Sequence, residues 1–93
     1  MNLGGKSMPI KPTVLKIYMI NGANGERTDV TKELPSILFD AIHECSKRIS
    51  KMENKHDIIF RIIGSKGDYV VDIDWGFAER YLKIFGDVDF DMQ

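Results

Sequence analysis

The chain has 93 residues, which is enough for one domain and too few for two. Hydrophobic residues make up 43% of it and charged residues 29%, and the formal net charge is −1, as is typical of a globular protein and not of a disordered one. This balance creates no general attraction for a polyanion, so nucleic-acid binding would need a local basic patch. No apolar run approaches the ~20 residues that cross a bilayer, which predicts that this is not a membrane protein.

The chain contains a single cysteine, Cys45, which cannot form an internal disulfide. No stretch combines a basic start, an apolar run and a small-residue cleavage site, so no secretory signal is predicted. Both features favour a reducing compartment, and we expect a cytoplasmic protein.

The first third of the chain predicts a leader followed by a strand. Residues 1–12 contain glycines, prolines and no acidic residue, and they lack periodicity, so we expect a flexible leader before a single α+β domain at 13–93. Residues 13–20 are rich in β-branched and aromatic types, with Leu15 and Ile17 on the same face, which predicts an inner strand. A turn rich in glycine and asparagine then leads to a short, weak strand at 26–30.

A helix is predicted from Pro35 to about Met52, because proline fits the first helical position. A helical wheel places His43 on the solvated side and gathers the apolar residues in one arc: Ile37, Leu38, Ala41, Ile42, Cys45, Ile49 and Met52. Cys45 lies at the centre of that arc, so we expect a buried structural thiol and not a nucleophile.

The second half of the chain predicts a β-hairpin and a second helix. Residues 57–63 and 69–73 have strand patterns and are separated by a short loop that contains two glycines. Helical spacing returns from Trp75 to Phe85, and Gly86 is a natural stop. Residues 87–93 alternate aspartates with apolar residues, which fits either a short edge strand or an acidic tail. The element order predicts an α+β fold: a small antiparallel or mixed β-sheet of three to five strands with two helices packed on it.

Two partial motifs could carry chemistry. Residues 5–7 match the end of a phosphate-binding loop, but the first glycine, the strand and the helix of that motif are missing. Asp87, Asp89 and Asp91 have the spacing that begins a calcium loop, which also needs a glycine at its sixth position and a glutamate at its twelfth, and neither is present. A divalent-metal site that joins Asp72 or Asp74 to these aspartates is an alternative, and it would make the chain a metal-dependent enzyme.

A basic cluster lies at the end of the first helix: Lys47, Arg48, Lys51 and Lys55. It could contact phosphates and make the chain a weak nucleic-acid binder. Two glutamates interrupt it, however, and no aromatic residue stands among the cations to stack on bases. Compensation of the helix dipole is the simpler explanation of these charges.

No catalytic constellation, metal-ligand spacing or cofactor motif emerges from the sequence, so no catalytic residue, metal or cofactor is predicted. The leading hypothesis is a small non-catalytic protein-binding module, which would be a regulator, an inhibitor or an accessory subunit that acts through surface complementarity. The expected partner is another protein or a second copy of the chain, with a homo-oligomer favoured.

The second helix carries a wider apolar arc than packing on a sheet requires. Its apolar residues span about 180° of the wheel, whereas one sheet contact needs little more than ~100°. One margin, either Phe77 with Ile84 or Trp75 with Leu82, should therefore face a partner, unless residues 87–93 fold back to cover it. The predicted partner-binding residues are Trp75, Phe77, Tyr81, Ile84, Asp72 and Asp74.

Overall fold

The computed structural model describes residues 12–86, which form a four-stranded sheet and two helices. In chain order these elements are β1 (Val14–Asn21), β2 (Glu26–Asp29), α1 (Leu38–Ser50), β3 (Ile58–Gly64), β4 (Val70–Ile73) and α2 (Trp75–Phe85). The strands lie in the order β2-β1-β3-β4, and every pair is antiparallel. The predicted α+β fold is therefore confirmed, with an antiparallel sheet and not a mixed one.

Most of the predicted leader, residues 1–11, and the aspartate-rich residues 87–93 lie outside the described residues. Within residues 12–86, neither helix is long and apolar enough to cross a membrane.

The core lies between one face of the sheet and the two helices. Four side chains of the sheet share this face and are completely buried: Ile17, Phe60, Ile62 and Ile73. They point the same way because Ile17 lies opposite Ile62, and Phe60 lies opposite Ile73, on neighbouring strands. The helices close the core with residues that are equally buried: Ala41, Cys45, Ile49 and Ala78.

Leu15 departs from the alternation that the sequence predicts for β1. It was expected to share a face with Ile17, but 51% of its surface is exposed. The pairing of β1 with β3 skips Leu15, since Val14 lies opposite Gly64 and the next paired residue of β1 is Lys16. Leu15 is thus the extra residue of an irregularity in the ladder, which turns its side chain out of the core.

Helix α1 begins at Leu38, later than the predicted start at Pro35. Thr13 and Ile37 form an isolated antiparallel bridge, and the Leu38 amide donates a hydrogen bond to the Pro12 carbonyl (2.9 Å). This pairing holds Ile37 in an extended conformation (φ −85°, ψ 130°), so the helix cannot start before it. Tertiary pairing with the residues around the start of β1 therefore overrides the helix-start signal of the proline.

Helix α1 is buried on two sides, because it packs on the sheet and also against α2. His43 and Ser46 are both buried. The prediction that His43 is solvated is wrong. Packing on the sheet buries only one side of α1, and Tyr81 of α2 contacts His43 on another side of the helix. The Ser46 Oγ is buried without a hydrogen-bond partner.

Helix α2 has the predicted bounds, Trp75–Phe85. Asp74 caps its N-terminus, where the Asp74 Oδ1 accepts a hydrogen bond from the Phe77 amide (2.9 Å). At the other end the Gly86 amide donates to the Leu82 carbonyl (2.8 Å), and the helix stops as predicted.

One aromatic residue, Tyr69, adds a side-chain contact between the predicted hairpin of β3 and β4 and the residue that precedes β1. The ring of Tyr69 lies directly over Gly64, and its hydroxyl donates a hydrogen bond to the Thr13 carbonyl (2.5 Å). A side-chain carbon at position 64 would overlap this ring. Glycine is therefore required at position 64 by the close approach of Tyr69.

Replacing Gly64 with alanine should lower the free energy of unfolding by about 1–3 kcal/mol, because Tyr69 must shift and its hydrogen bond to Thr13 is weakened. Urea denaturation measures this loss. In a Tyr69→Ala background the ring is absent, so the same substitution should cost much less. An equal cost in both backgrounds would show that the ring does not impose the glycine.

Cys45 is a free thiol that is completely buried, as predicted. Burial raises the pKa of this thiol from the usual 9.0 to about 12. The thiol is therefore neutral at physiological pH and inaccessible, and it cannot act as a nucleophile.

This raised pKa predicts a loss of stability in alkali. The protonated thiol contributes fully below pH 9.0, and its contribution falls as the pH rises towards about 12, because the unfolded chain releases the proton first. The slope should be about 1.4 kcal/mol per pH unit. Urea denaturation between about pH 8 and pH 11 should therefore show a shrinking difference in stability between the native chain and Cys45→Ala. A constant difference would contradict the burial of the thiol.

Candidate functional site

Three aromatic residues of α2 form a ridge along the side of the helix that faces α1. Phe77, Tyr81 and Phe85 follow one another at a spacing of four residues, so their side chains lie on one face. The ring centroids are 6.0 Å apart between Phe77 and Tyr81 and 5.0 Å apart between Tyr81 and Phe85. We call these three side chains the aromatic ridge.

A hollow lies on each side of the aromatic ridge. Between the ridge and α1 is a groove of about 510 Å³, which Phe39 and Ile42 complete. On the other side, Arg80 and Ile84 complete a second hollow of about 400 Å³. We call these the helix groove and the outer hollow, and together with the aromatic ridge they form the ridge surface.

The ridge surface exposes large apolar side chains. The exposed fraction is 60% for Phe39, 72% for Ile84 and 42% for Phe85. Single exposed apolar residues are common on proteins, but a contiguous group of this kind is typical of a binding surface. The ridge surface is therefore the candidate functional site.

The middle of the aromatic ridge is fixed by a polar contact. The Tyr81 hydroxyl and the His43 Nδ1 share a hydrogen bond of 3.0 Å, and the two rings meet edge to face at 5.7 Å. Burial, together with the nearby charge of Asp40, raises the pKa of Tyr81 above its ordinary value. Tyr81 is thus a neutral phenol whose ring is held in place by α1, and this makes the ridge a rigid feature.

The structure gathers only some of the predicted partner-binding residues at this surface. Phe77, Tyr81 and Ile84 lie together on it. Trp75 is half-buried beside the core, and the Lys55 ammonium lies 4.5 Å from its ring centroid. It lies outside both hollows of the ridge surface.

Neither predicted aspartate lines the ridge surface. Asp72 lies on β4 and accepts two hydrogen bonds from the Arg61 guanidinium (2.9 and 3.0 Å), which hold the pKa of Asp72 below its ordinary value. Asp74 is occupied as the cap of α2. Both carboxylates therefore have local structural partners.

Sequence reasoning missed Phe39 and Ile42 as members of the site. The wheel of α1 did contain a signal, since Phe39 falls outside the apolar arc that packs on the sheet. An aromatic residue outside the buried arc of an amphipathic helix indicates a second contact. Its position beside the ridge of α2 could not be read from the wheel of either helix alone.

The two alternative sites gain little from the structure. Among residues 12–86, no three His, Cys, Asp or Glu side chains lie close enough to hold a metal ion together, and Asp87, Asp89 and Asp91 lie outside the described residues. In the basic cluster Arg48 binds the Glu33 side chain (3.2 Å) and main-chain carbonyl (3.0 Å), while Lys55 lies over Trp75. Two of its cations are therefore already engaged within the chain.

On the sheet face away from the helices, charged and aromatic side chains of neighbouring strands contact one another. Lys16 bonds Asp29 (3.0 Å), and the Arg27 guanidinium lies 4.6 Å from the centroid of the Tyr18 ring. The Arg61 pair with Asp72 lies on the same face. Because polar side chains cross this face, it is a weaker candidate for apolar docking than the ridge surface.

Polar substitutions should separate the exposed edge of the ridge surface from its packed base. Phe39→Gln and Ile84→Gln should each change the free energy of unfolding by no more than about 0.5 kcal/mol, since both side chains are mainly in solvent. Phe77→Gln should cost about 1–3 kcal/mol, because Phe77 packs against the buried core. Thermal and urea denaturation test both expectations, and a large loss for Ile84→Gln would mean that Ile84 serves folding.

Comparison of the chain with models of protein families, with curated proteins and with solved structures finds no match. A function for this chain therefore has to be proposed from the shape and chemistry of the ridge surface.

Proposed function

We propose that the chain is a small non-catalytic protein-binding module, which acts as a regulator, an inhibitor or an accessory subunit and binds its partner through the ridge surface. The observation that carries this proposal is the exposure of Phe39, Ile84 and Phe85 beside one another on two helices. Such a patch is costly to leave in water and gains free energy when a partner covers it. A free, buried thiol at Cys45 supports the cytoplasm as the proposed location.

The composition of the ridge surface favours a protein partner over a small ligand. Small-molecule sites combine an apolar pocket with several polar groups that orient the ligand. In the helix groove the Tyr81 hydroxyl is already bonded to His43, and the other lining residues are apolar. Aromatic side chains in an open patch are instead typical of the centre of a protein interface.

The same chemistry supports a role without catalysis. General acid–base and nucleophilic catalysis require a titratable or nucleophilic group in reach of the substrate. Near the groove, Tyr81 is a phenol with a raised pKa, and the thiol of Cys45 is buried. The lining of the helix groove therefore offers mainly apolar contact, and its one polar group, the Tyr81 hydroxyl, is bonded to His43.

Rigid presentation also supports binding. Stacking of the ridge rings and the hydrogen bond between His43 and Tyr81 hold Phe77 and Tyr81 in place before a partner arrives. Side chains that are already ordered lose less conformational entropy on association, so more of the burial energy appears as affinity.

Photo-crosslinking in cells that express the chain tests the proposal. A benzophenone amino acid placed at position 39 or position 84 should yield covalent adducts with a protein, identified by mass spectrometry. Position 70 provides the matched control, because Val70 is also 58% exposed but lies on β4. If adducts formed equally at all three positions, or at none of them, the proposed binding surface would be contradicted. This holds both for a partner that is a second copy of the chain and for a partner that is another protein.

A further inference from the structure

The ridge surface has the shape of a self-complementary contact. A two-fold interface uses the same patch on both subunits, so each projecting feature needs a matching hollow on the same surface. The aromatic ridge separates two hollows, and the helix groove of about 510 Å³ lies immediately beside it. The outer hollow of about 400 Å³ lies on the far side of the ridge.

One residue on each edge of this surface, Asp40 on α1 and Arg80 on α2, carries a charge opposite to that of the other. On the α1 edge, Asp40 follows the exposed Phe39 in the first turn of the helix. On the α2 edge, Arg80 lines the outer hollow. Neither Asp40 nor Arg80 has an ion-pair partner among residues 12–86.

We propose that the partner of the ridge surface is a second copy of this chain, docked about a two-fold axis that runs parallel to the aromatic ridge. This inference rests on the proposed protein-binding function. The axis places the ridge of each copy in the helix groove of the other. The same rotation places α1 of each copy on the far side of the other copy's ridge. Phe39 of one copy then lies over the outer hollow of the other copy, beside Ile84 of that copy.

This arrangement buries apolar side chains of the ridge surface and pairs its charges. It covers the three exposed apolar side chains of the patch, Phe39, Ile84 and Phe85, in a single contact. It also brings Asp40 of each copy towards Arg80 of the other, which places two opposite-charge pairs at the rim of the interface. An axis perpendicular to the ridge would instead place like charges together, so charge complementarity selects the parallel axis.

Charge reversal tests the arrangement with the purified full chain. Light scattering or sedimentation should show a dimer that dissociates on dilution. Asp40→Arg and Arg80→Glu should each weaken the dimer by about tenfold or more, because each reversal creates two like-charge contacts. A one-to-one mixture of the two variants should restore the dimer, since every contact between them again joins opposite charges.

Two controls separate association from folding. Lys83→Glu makes the same charge change as Arg80→Glu on the same helix, but Lys83 lies about 160° around the helix from Tyr81, whereas Arg80 lies about 100° from it, so Lys83→Glu should weaken the dimer much less. At dilutions that give monomers, Arg80→Glu should melt near the native temperature, because Arg80 lacks an ion-pair partner among residues 12–86. Asp40→Arg and Lys83→Glu should melt somewhat lower, because Asp40 lies in the first turn of α1 and Lys83 in the last turn of α2, where their charges interact favourably with the helix dipoles.

The remaining outcomes overturn the inference in distinguishable ways. A chain that stays monomeric in solution while position 39 crosslinks to a different protein would leave the binding function standing and exclude the second copy. A dimer that does not respond to either charge reversal would mean that two copies meet elsewhere. A monomer that dimerises only after removal of residues 87–93 would identify the chain's own C-terminal segment as the occupant of the surface.

Discussion

The structure depends on the close packing of α1 against both the sheet and α2. Small side chains make this possible: Ala41, Cys45, Ser46 and Ala78 are completely buried. Within the described helix α2, Ala78 is the only residue that is fully buried. Because a short side chain fills the position where α2 approaches the core most closely, the large aromatic residues of α2 must lie along the margin of the contact. The aromatic ridge is the direct result.

Much of the fold could be predicted because its signals are local. The bounds of α2 follow from an apolar period that ends at Gly86, which stops the helix as expected, whereas the capping role of Asp74 was not predicted. The inner position of β1 follows from its β-branched content and its apolar residues on both faces. The start of α1 and the bulge at Leu15 could not be predicted, because both depend on pairing between residues far apart in sequence.

The candidate site was predicted in part for the same reason. Periodicity showed that α2 has more apolar surface than one contact needs, and Phe77, Tyr81 and Ile84 do lie on the ridge surface. Which margin is exposed depends on where α1 lies, and a wheel of α2 carries no such information. The error for His43 has this cause too, since its burial requires Tyr81 from a helix 38 residues away.

The small contribution of α2 to the core has a consequence for how such a chain can change over time. Residues at the edge of the ridge surface, such as Phe39, Arg80 and Ile84, do not hold the core together. If the ridge surface binds the proposed partner, mutations there are largely hidden from selection for folding and act on partner choice. Under that proposal, descendants of this sequence could acquire new binding preferences while the sheet, the buried face of α1 and Ala78 stay as they are.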